Sequence, residues 1–522
     1  MDSDTVHRRR WATLGVLCVS LLVIGLDNTI LNVALPSLAR SLDATASELQ
    51  WMVDSYTLVF AGLLLVAGSL GDRFGRRRAL LFGLAVFGVS SLWAAWAGSA
   101  GELIAARAMM GIGGAFIMPS TLSVLTHSFR DSRERAKAIG AWAAVSGMGI
   151  VLGPTIGGWL LQHFWWGSVF LVNVPVAAVG IVAGYWLVPE SRDPSAPRID
   201  VVGAVLSVIG LVAVVWSIIE APERGWTNGL VLTGFGVAVV FLTAFVAWEL
   251  RVAEPMLNLR YFHNPSFAAA SLSVTLVFFS MFGMVFFLTQ YMQFVLDFSA
   301  LQAGQRMLPI AALVLGAPIG IKLAGRLGNK VVVATGLSVV AVALWILSGT
   351  SVDSGYGRVA MVLAIMGFGM GFTMAPATDS VMSALPRAKA GVGSAVNDTV
   401  RQVGGALGVA VLGSILSSAY DNRLGELLGG QPVPEPAREG IAGALAVAGQ
   451  QPGSAGTALA DAARSAFIHG MDRTLVVAAA VAVAGALIAL VWLPTRNKEA
   501  DAPAEPPAAE KPRTDRELQA VG

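Results

Sequence analysis

The sequence predicts an all-α membrane protein with about fourteen transmembrane helices. Three observations predict it. Of the 522 residues, 55% are hydrophobic and only 13% are charged, about half the charged share of a soluble domain. Apolar runs of about 18–25 residues recur along the chain, each long enough to cross roughly 30 Å of hydrocarbon. Lysine and arginine gather in alternate connecting segments, as the positive-inside rule requires of a multi-pass chain.

The apolar runs fall at 11–34, 49–69, 79–98, 102–125, 138–162, 168–188, 200–220, 229–248, 266–294, 303–325, 331–350, 357–379, 393–418 and 473–493. The pair at 200–220 and 229–248 is the weakest, and without it twelve remain. The first run follows His7 and Arg8–Arg10, which resembles the basic start of a signal peptide. It is too long for one, and it enters Asp27 and Asn28 with no small-residue cleavage site, so it reads as a retained helix.

With the N-terminus inside, the inner segments hold Arg8–Arg10, Arg73, Arg76–Arg78, Arg130, Arg133, Arg135, Lys137, Arg192, Arg198, Arg251, Arg260, Arg326, Lys330, Arg387, Lys389, Arg496 and Lys498. The short outer loops hold Arg40, Arg224 and Arg358. This bias predicts both termini on the cytoplasmic side, and the excess of arginine over lysine, 29 to 6, hints at a bacterial source and so at its inner membrane. The expected organisation is a cytoplasmic start (1–10), a six-helix half (11–188), two inserted helices with linkers (189–265), and a second six-helix half (266–493). A long outer loop over 420–471 carries apolar spacing for short surface helices and reads as a tether or a lid. The tail from 494 is rich in Pro, Ala, Glu and Lys and predicts disorder.

Several function classes are excluded. A net charge of +2 argues against a nucleic-acid partner, and the single cysteine, Cys18, permits no disulfide framework. No Walker loop is present, so ATP is not the energy source. His7, His127, His163, His263 and His469 are scattered, unlike metal ligands. No cofactor and no enzymatic centre are expected.

An internal repeat is visible. Leu70-Gly71-Asp72-Arg73-Phe74-Gly75-Arg76-Arg77 follows the second run, and Leu323-Ala324-Gly325-Arg326-Leu327-Gly328-Asn329-Lys330 follows the tenth. Two similar halves around a central site is a transporter plan.

With these motifs the chain resembles the fourteen-span drug:proton antiporters of the major facilitator superfamily. Leu26-Asp27-Asn28-Thr29-Ile30-Leu31-Asn32-Val33-Ala34-Leu35-Pro36 is similar to the family's first-helix signature, and Gly68-Ser69-Leu70 leads into the superfamily loop quoted above. Arg107-Ala108-Met109-Met110-Gly111 resembles the fourth-helix motif, with Met110 where glutamine is usual. Gly149-Ile150-Val151-Leu152-Gly153-Pro154-Thr155-Ile156-Gly157-Gly158 resembles the fifth-helix antiporter motif. The resemblance implies the major facilitator fold, proton-driven efflux of drugs or antibiotics by alternating access, and resistance to them. It implies a proton-coupling set of Asp27, Asp54 and Arg107. A nutrient importer and a non-transporting scaffold are the alternatives.

Asp27, Asp54 and Arg107 fall at similar depths in their spans, where an ionisable group costs several kcal/mol unless paired or wet. They read either as a packing ion pair or as a proton site, and the two aspartates also as sites for a cationic substrate. Asn28, Asn32, Trp51 and Tyr56 lie near them. In the ninth run Phe279, Phe282, Phe286, Gln290 and Gln293 recur at helical spacing beside Tyr291. Phe286, Gln290 and Gln293 join the substrate-binding candidates. Gly68, Asp72, Arg73, Gly75 and Arg76 read as a cytoplasmic gate, in which Asp72 caps a helix or pairs with a neighbouring loop arginine such as Arg130. Gly149, Gly153 and Gly157, with Pro154 and Gly158, form a small-residue stripe for close packing or for a moving seal. Asn397, Asp398, Arg401 and Gln402 read as an interfacial group. The expected partners are protons, a small amphipathic drug and the lipid bilayer, with the protein a monomer.

Overall fold

The computed structural model describes residues 3–129, 131–192, 200–351, 354–383, 390–429, 433–451 and 453–493. Arg130 and the tail from 494 lie outside them. Helices dominate, and no strand occurs among the described residues. The first half holds α1 (Ser3–Ser41), α2 (Ala46–Phe74), α3 (Arg76–Ala95), α4 (Ala100–Ser128), α5 (Ser132–His163) and α6 (Ser168–Leu187). The inserted pair is α7 (Val201–Arg224) and α8 (Gly229–Glu249). The second half holds α9 (Pro265–Val295), α10 (Ala300–Leu327), α11 (Asn329–Ser348), α12 (Tyr356–Ser383), α13 (Ala390–Leu427) and α14 (Ser454–Trp492).

Thirteen of these are long and apolar enough to cross a membrane. The remaining one, α5, has 32 residues, about 48 Å at 1.5 Å per residue, and makes the fourteenth. Both weakly predicted middle runs form full helices.

The packing repeats between the halves. In the first, α1 packs on α5, α4 on α2 and α3, and α6 on α3 and α1. In the second, α9 packs on α13, α12 on α10 and α11, and α14 on α11 and α9. The halves meet along two matching seams, α2 with α13 and α5 with α10. The inserted α7 covers the α2–α13 seam, while α8 packs mainly on α7. The repeated loops are also alike. α2 ends at Gly75 with φ 126° and α10 at Gly328 with φ 85°, turns that favour glycine.

Two helices are irregular where they end or bend. α9 finishes in a π-turn over Tyr291–Val295. α10 breaks into Ala300–Arg306, a 3-10 turn over Leu308–Ala312, and Leu313–Leu327, because Pro309 cannot donate an amide to the helix ladder.

On the face away from the termini, two short helices, Glu435–Glu439 and Ile441–Gln450, join α13 to α14. They are packed, not dangling. Ile441, Ala444 and Ala448 are buried, Tyr420 donates to the Ala437 carbonyl at 3.0 Å, and Arg438 grips Asp421 through two bonds of 2.8 and 2.9 Å. The expected helix over 457–468 is the continuous start of α14.

Candidate functional site

The deepest charges in the first half form one network. Asp27 on α1 and Arg107 on α4 are an ion pair, each about 1% exposed. The Arg107 Nε donates to the Met52 carbonyl on α2 at 3.0 Å, and its guanidinium lies 4.4 Å over the Tyr56 ring. The other Asp27 oxygen accepts from Asn173 of α6 at 3.2 Å, and the same amide nitrogen donates to Ser91 of α3 at 3.2 Å. Five helices are tied together with every strong charge compensated. Met110, where glutamine was expected, accepts from Ser91 through its sulfur at 3.7 Å. The sequence reading missed Asn173 and Ser91, because a lone amide and a lone hydroxyl in apolar runs carry no spacing signal.

Asp54 stands apart from that network. It is 0% exposed, and neither carboxylate oxygen has a hydrogen-bond partner among the described residues. Its placement follows from its helix. Gln50 and Leu58 lie one turn to either side on the same face of α2. The Gln50 side chain packs on Gly413 of α13. Leu58 clusters with Ala406 and Ala410 of α13 and with Val215 and Ile219 of α7. Asp54 therefore faces the seam between the halves, opposite the Ala406–Ala410–Gly413 stripe. The sequence grouped the two aspartates by depth; the helix faces send them in different directions.

The predicted binding residues divide likewise. Asn28, Thr29, Asn32, Pro154, Met281, Phe282, Val285, Met307 and Ile310 line a cavity of ≈ 20 Å³ between the halves. Tyr56 is inside the first half over Arg107, and Trp51 packs against the α2–α7 cluster. Phe286 and Gln290 border a second cavity, of ≈ 30 Å³, nearer the face away from the termini. Gln290 donates to the Phe286 carbonyl at 3.1 Å, within its own helix. Phe279 lies against Gly408 of α13, and the Tyr291 hydroxyl donates to the Ser351 carbonyl at 3.4 Å.

The face away from the termini is sealed across the halves. Gln293 donates to the Val33 carbonyl at 2.9 Å, and Arg40 lies 5.5 Å over the Phe294 ring. A Cβ on Gly158 would sit 2.5 Å from the Ala300 carbonyl oxygen, and one on Gly304 would overlap the Pro154 carbonyl. The glycine motif thus has two jobs. Gly149, Gly153 and Gly157 press α5 onto α1 at Gly25, Thr29 and Ile30, inside one half. Pro154, Thr155 and Gly158 meet the other half at Gly304 and Ala300.

At the face of the termini, the ion pairs formed between described residues stay within one half. Arg10 grips Glu134 at 2.9 and 3.0 Å. Among the described residues Asp72 pairs with Arg76, at 2.6 Å, and caps no helix, while Arg73 lies over Phe74 and Gly68 packs near Pro119. Arg130 is not among the described residues. The partner that the sequence did not identify is Glu190 at the end of α6. It accepts from the Arg77 amide at 3.2 Å, lies 3.8 and 3.7 Å from the Arg77 and Arg78 guanidinium nitrogens, and fills the space beside Gly75. Gly75→Ala is expected to lower stability by about 1–3 kcal/mol, through the positive φ and a collision with Glu190; thermal unfolding in detergent measures it. Within the group on α13, Asn397 is buried and opens the apolar span that starts at Val396. Arg401 is 3.7 Å from Asp398, donates to Thr378 of α12 at 3.3 Å, and lies over Phe278 of α9.

The model of the Major Facilitator Superfamily matches residues 17–409. The chain is 38% identical over 483 residues to the multidrug efflux pump LfrA of Mycolicibacterium smegmatis, covering 92% of this chain and 95% of that one. It is 34% identical over 503 residues to the tetracenomycin C resistance and export protein of Streptomyces glaucescens, covering 94% and 93%. In structure it is similar to a bacterial homolog of the human lysosomal transporter Spinster in inward-facing and occupied conformation, with a TM-score of 0.66, 18% identity, and coverage of 95% and 99%.

Proposed function

The chain belongs to the major facilitator superfamily, and from that premise we propose that it exports small amphipathic drugs or antibiotics across the bacterial cytoplasmic membrane in exchange for protons. Both termini are then cytoplasmic, and the structure is the state closed to the outside. The export names of its relatives support efflux over uptake. Asn28, Asn32, Met281 and Phe282 meet between the halves around a closed space of only ≈ 20 Å³, and once that space widens they would present apolar surface and two amides to an amphipathic molecule.

One observation carries the proton part: Asp54 is buried with no hydrogen-bond partner among the described residues, on the face of α2 whose Leu58 packs across the seam that must part when the outside opens. A charged carboxylate in that closed seam costs several kcal/mol. A proton bound from outside removes the charge and lets the seam close. Loss of the proton to the cytoplasm, as drug binds, restores the charge and favours opening outward. Coupling needs this differential affinity between two states. Asp27 and Arg107 are compensated in place, so their part is to hold α2 through the Met52 carbonyl, two residues from Asp54.

The test uses everted vesicles with an acid interior and a pH-sensitive dye. In wild type, a transported drug dissipates the gradient. In Asp54→Asn the response is expected to fall at least about 100-fold, within the range that a positioned proton-transfer group contributes. If Asp54→Asn responds as wild type does, the assignment is wrong.

A further inference from the structure

Asp54 raises the question of how a proton reaches it, and the face of α2 that carries it supplies an answer. Ser47, Gln50, Asp54 and Leu58 recur at helical spacing along one stripe. At its outer end the Ser47 hydroxyl donates to Glu220 of α7 at 3.1 Å. Glu48, Glu220, Glu223 and Glu439 gather there, with Arg224 paired to Glu220 at 2.7 Å. Burial, then Glu435 and Glu48, hold the Glu439 carboxyl above the usual range. Below this mouth lies the ≈ 30 Å³ cavity bordered by Ala46, Gln50, Gly413 and Glu439, large enough for about one water. Gln50 is 2% exposed, and its Oε1 has no partner among the described residues. One turn deeper is Asp54, with both oxygens unpartnered.

We propose that the proton reaches Asp54 from outside along the Ser47–Gln50–Asp54 stripe beneath the wall of α7, with Gln50 as its positioning residue. This rests on the antiport reading above and adds to it an entry for the proton on the α2 side of the cavity that Phe286 and Gln290 border from α9. The proton passes along water held by Gln50, and an O–H bond forms on the Asp54 carboxylate; nothing is oxidised or reduced. In this structure the route is shut where Gln50 packs on Gly413, which prevents a leak while the cytoplasmic side has access. Movement of α13 with its half frees the Gln50 amide. The inserted helix α7 thereby acquires a task. Its Ile218 carbonyl accepts from Ser414 of α13, and its Glu220 accepts from Ser47 of α2, so it lines the route on both sides of the seam.

The experiment compares two rates in reconstituted vesicles: proton-driven drug antiport, and drug-for-drug exchange, which needs no net proton movement. Gln50→Met keeps the volume and removes the hydrogen-bonding amide. It is expected to slow antiport at least about tenfold, well inside the 10²–10⁴ span of positioned proton-transfer groups, while exchange keeps the wild-type rate. Gln50→Glu, which restores an acceptor oxygen, is expected to recover most of the antiport. Glu220→Gln tests the mouth while keeping an acceptor for Ser47, and is expected to raise about two- to threefold the outside proton concentration needed for half-maximal antiport. The route is overturned if antiport in Gln50→Met matches wild type, if both rates fall equally, or if Glu220→Gln leaves the outside pH dependence unmoved. Asp54→Asn separates this from the parent reading. Uncoupling there with normal antiport in Gln50→Met removes only the route, whereas full coupling in Asp54→Asn removes the antiport assignment itself.

Discussion

Arg107→Met is expected to destabilise the protein by about 3–5 kcal/mol, the cost of leaving one partner of a buried ion pair without the other. The substitution keeps a long apolar stem beside Tyr56, so the loss falls on the charge. Asp27 would retain only the Asn173 amide, and the Met52 carbonyl would lose its donor. Thermal unfolding in detergent reads the change. Asp27→Asn should cost a similar amount, by leaving the guanidinium buried and unpaired. The double variant Asp27→Asn with Arg107→Met should recover part of the loss, since neither charge then remains. If the double variant is as unstable as the sum of the single ones, the pair is not the unit that the geometry describes.

The second large effect belongs to the seal on the face away from the termini. Gly304→Ala places a methyl group on the Pro154 carbonyl, and Gly158→Ala places one against Ala300. Both contacts cross from one half to the other, so the added volume strains the outwardly closed state and leaves the open one free. Overpacking of about 1–3 kcal/mol corresponds to a shift of about 5–150-fold in a two-state balance. The readout is labelling of Asn28→Cys, in the central cavity, by an impermeant maleimide added outside to cells carrying Cys18→Ser. Gly304→Ala should make that cysteine reactive from outside. By contrast, Gly149→Ala strains α1 against α5 within one half; it should lower stability without raising outside labelling. Equal labelling in the two variants would show that the seal lies elsewhere.

The glycines show how far the sequence reaches. Their spacing of four foretold a contact stripe, because that spacing puts them on one helix face. It did not say which neighbour they touch. The stripe serves packing inside the first half, and the residue next to it, Gly158, with Pro154, meets the second. Likewise the repeated loop foretold two equivalent halves, while Glu190, which holds the first loop in place, is one acid among many until α6 delivers it there.

The sequence by itself determined the all-helical membrane class, the two-half plan and the family resemblance, since each rests on local quantities: run length, charge alternation and contiguous motifs. It also singled out Asp27, Asp54 and Arg107, because an ionisable side chain in an apolar run is costly wherever it points. What only the tertiary structure decided is where they point. Asp27 turns into its own half and meets Arg107, while Asp54 lies on the seam face of α2, between Gln50 and Leu58, with no hydrogen-bond partner among the described residues. That difference depends on helix rotation and on which helices adjoin, quantities set by packing across hundreds of residues that no local pattern encodes.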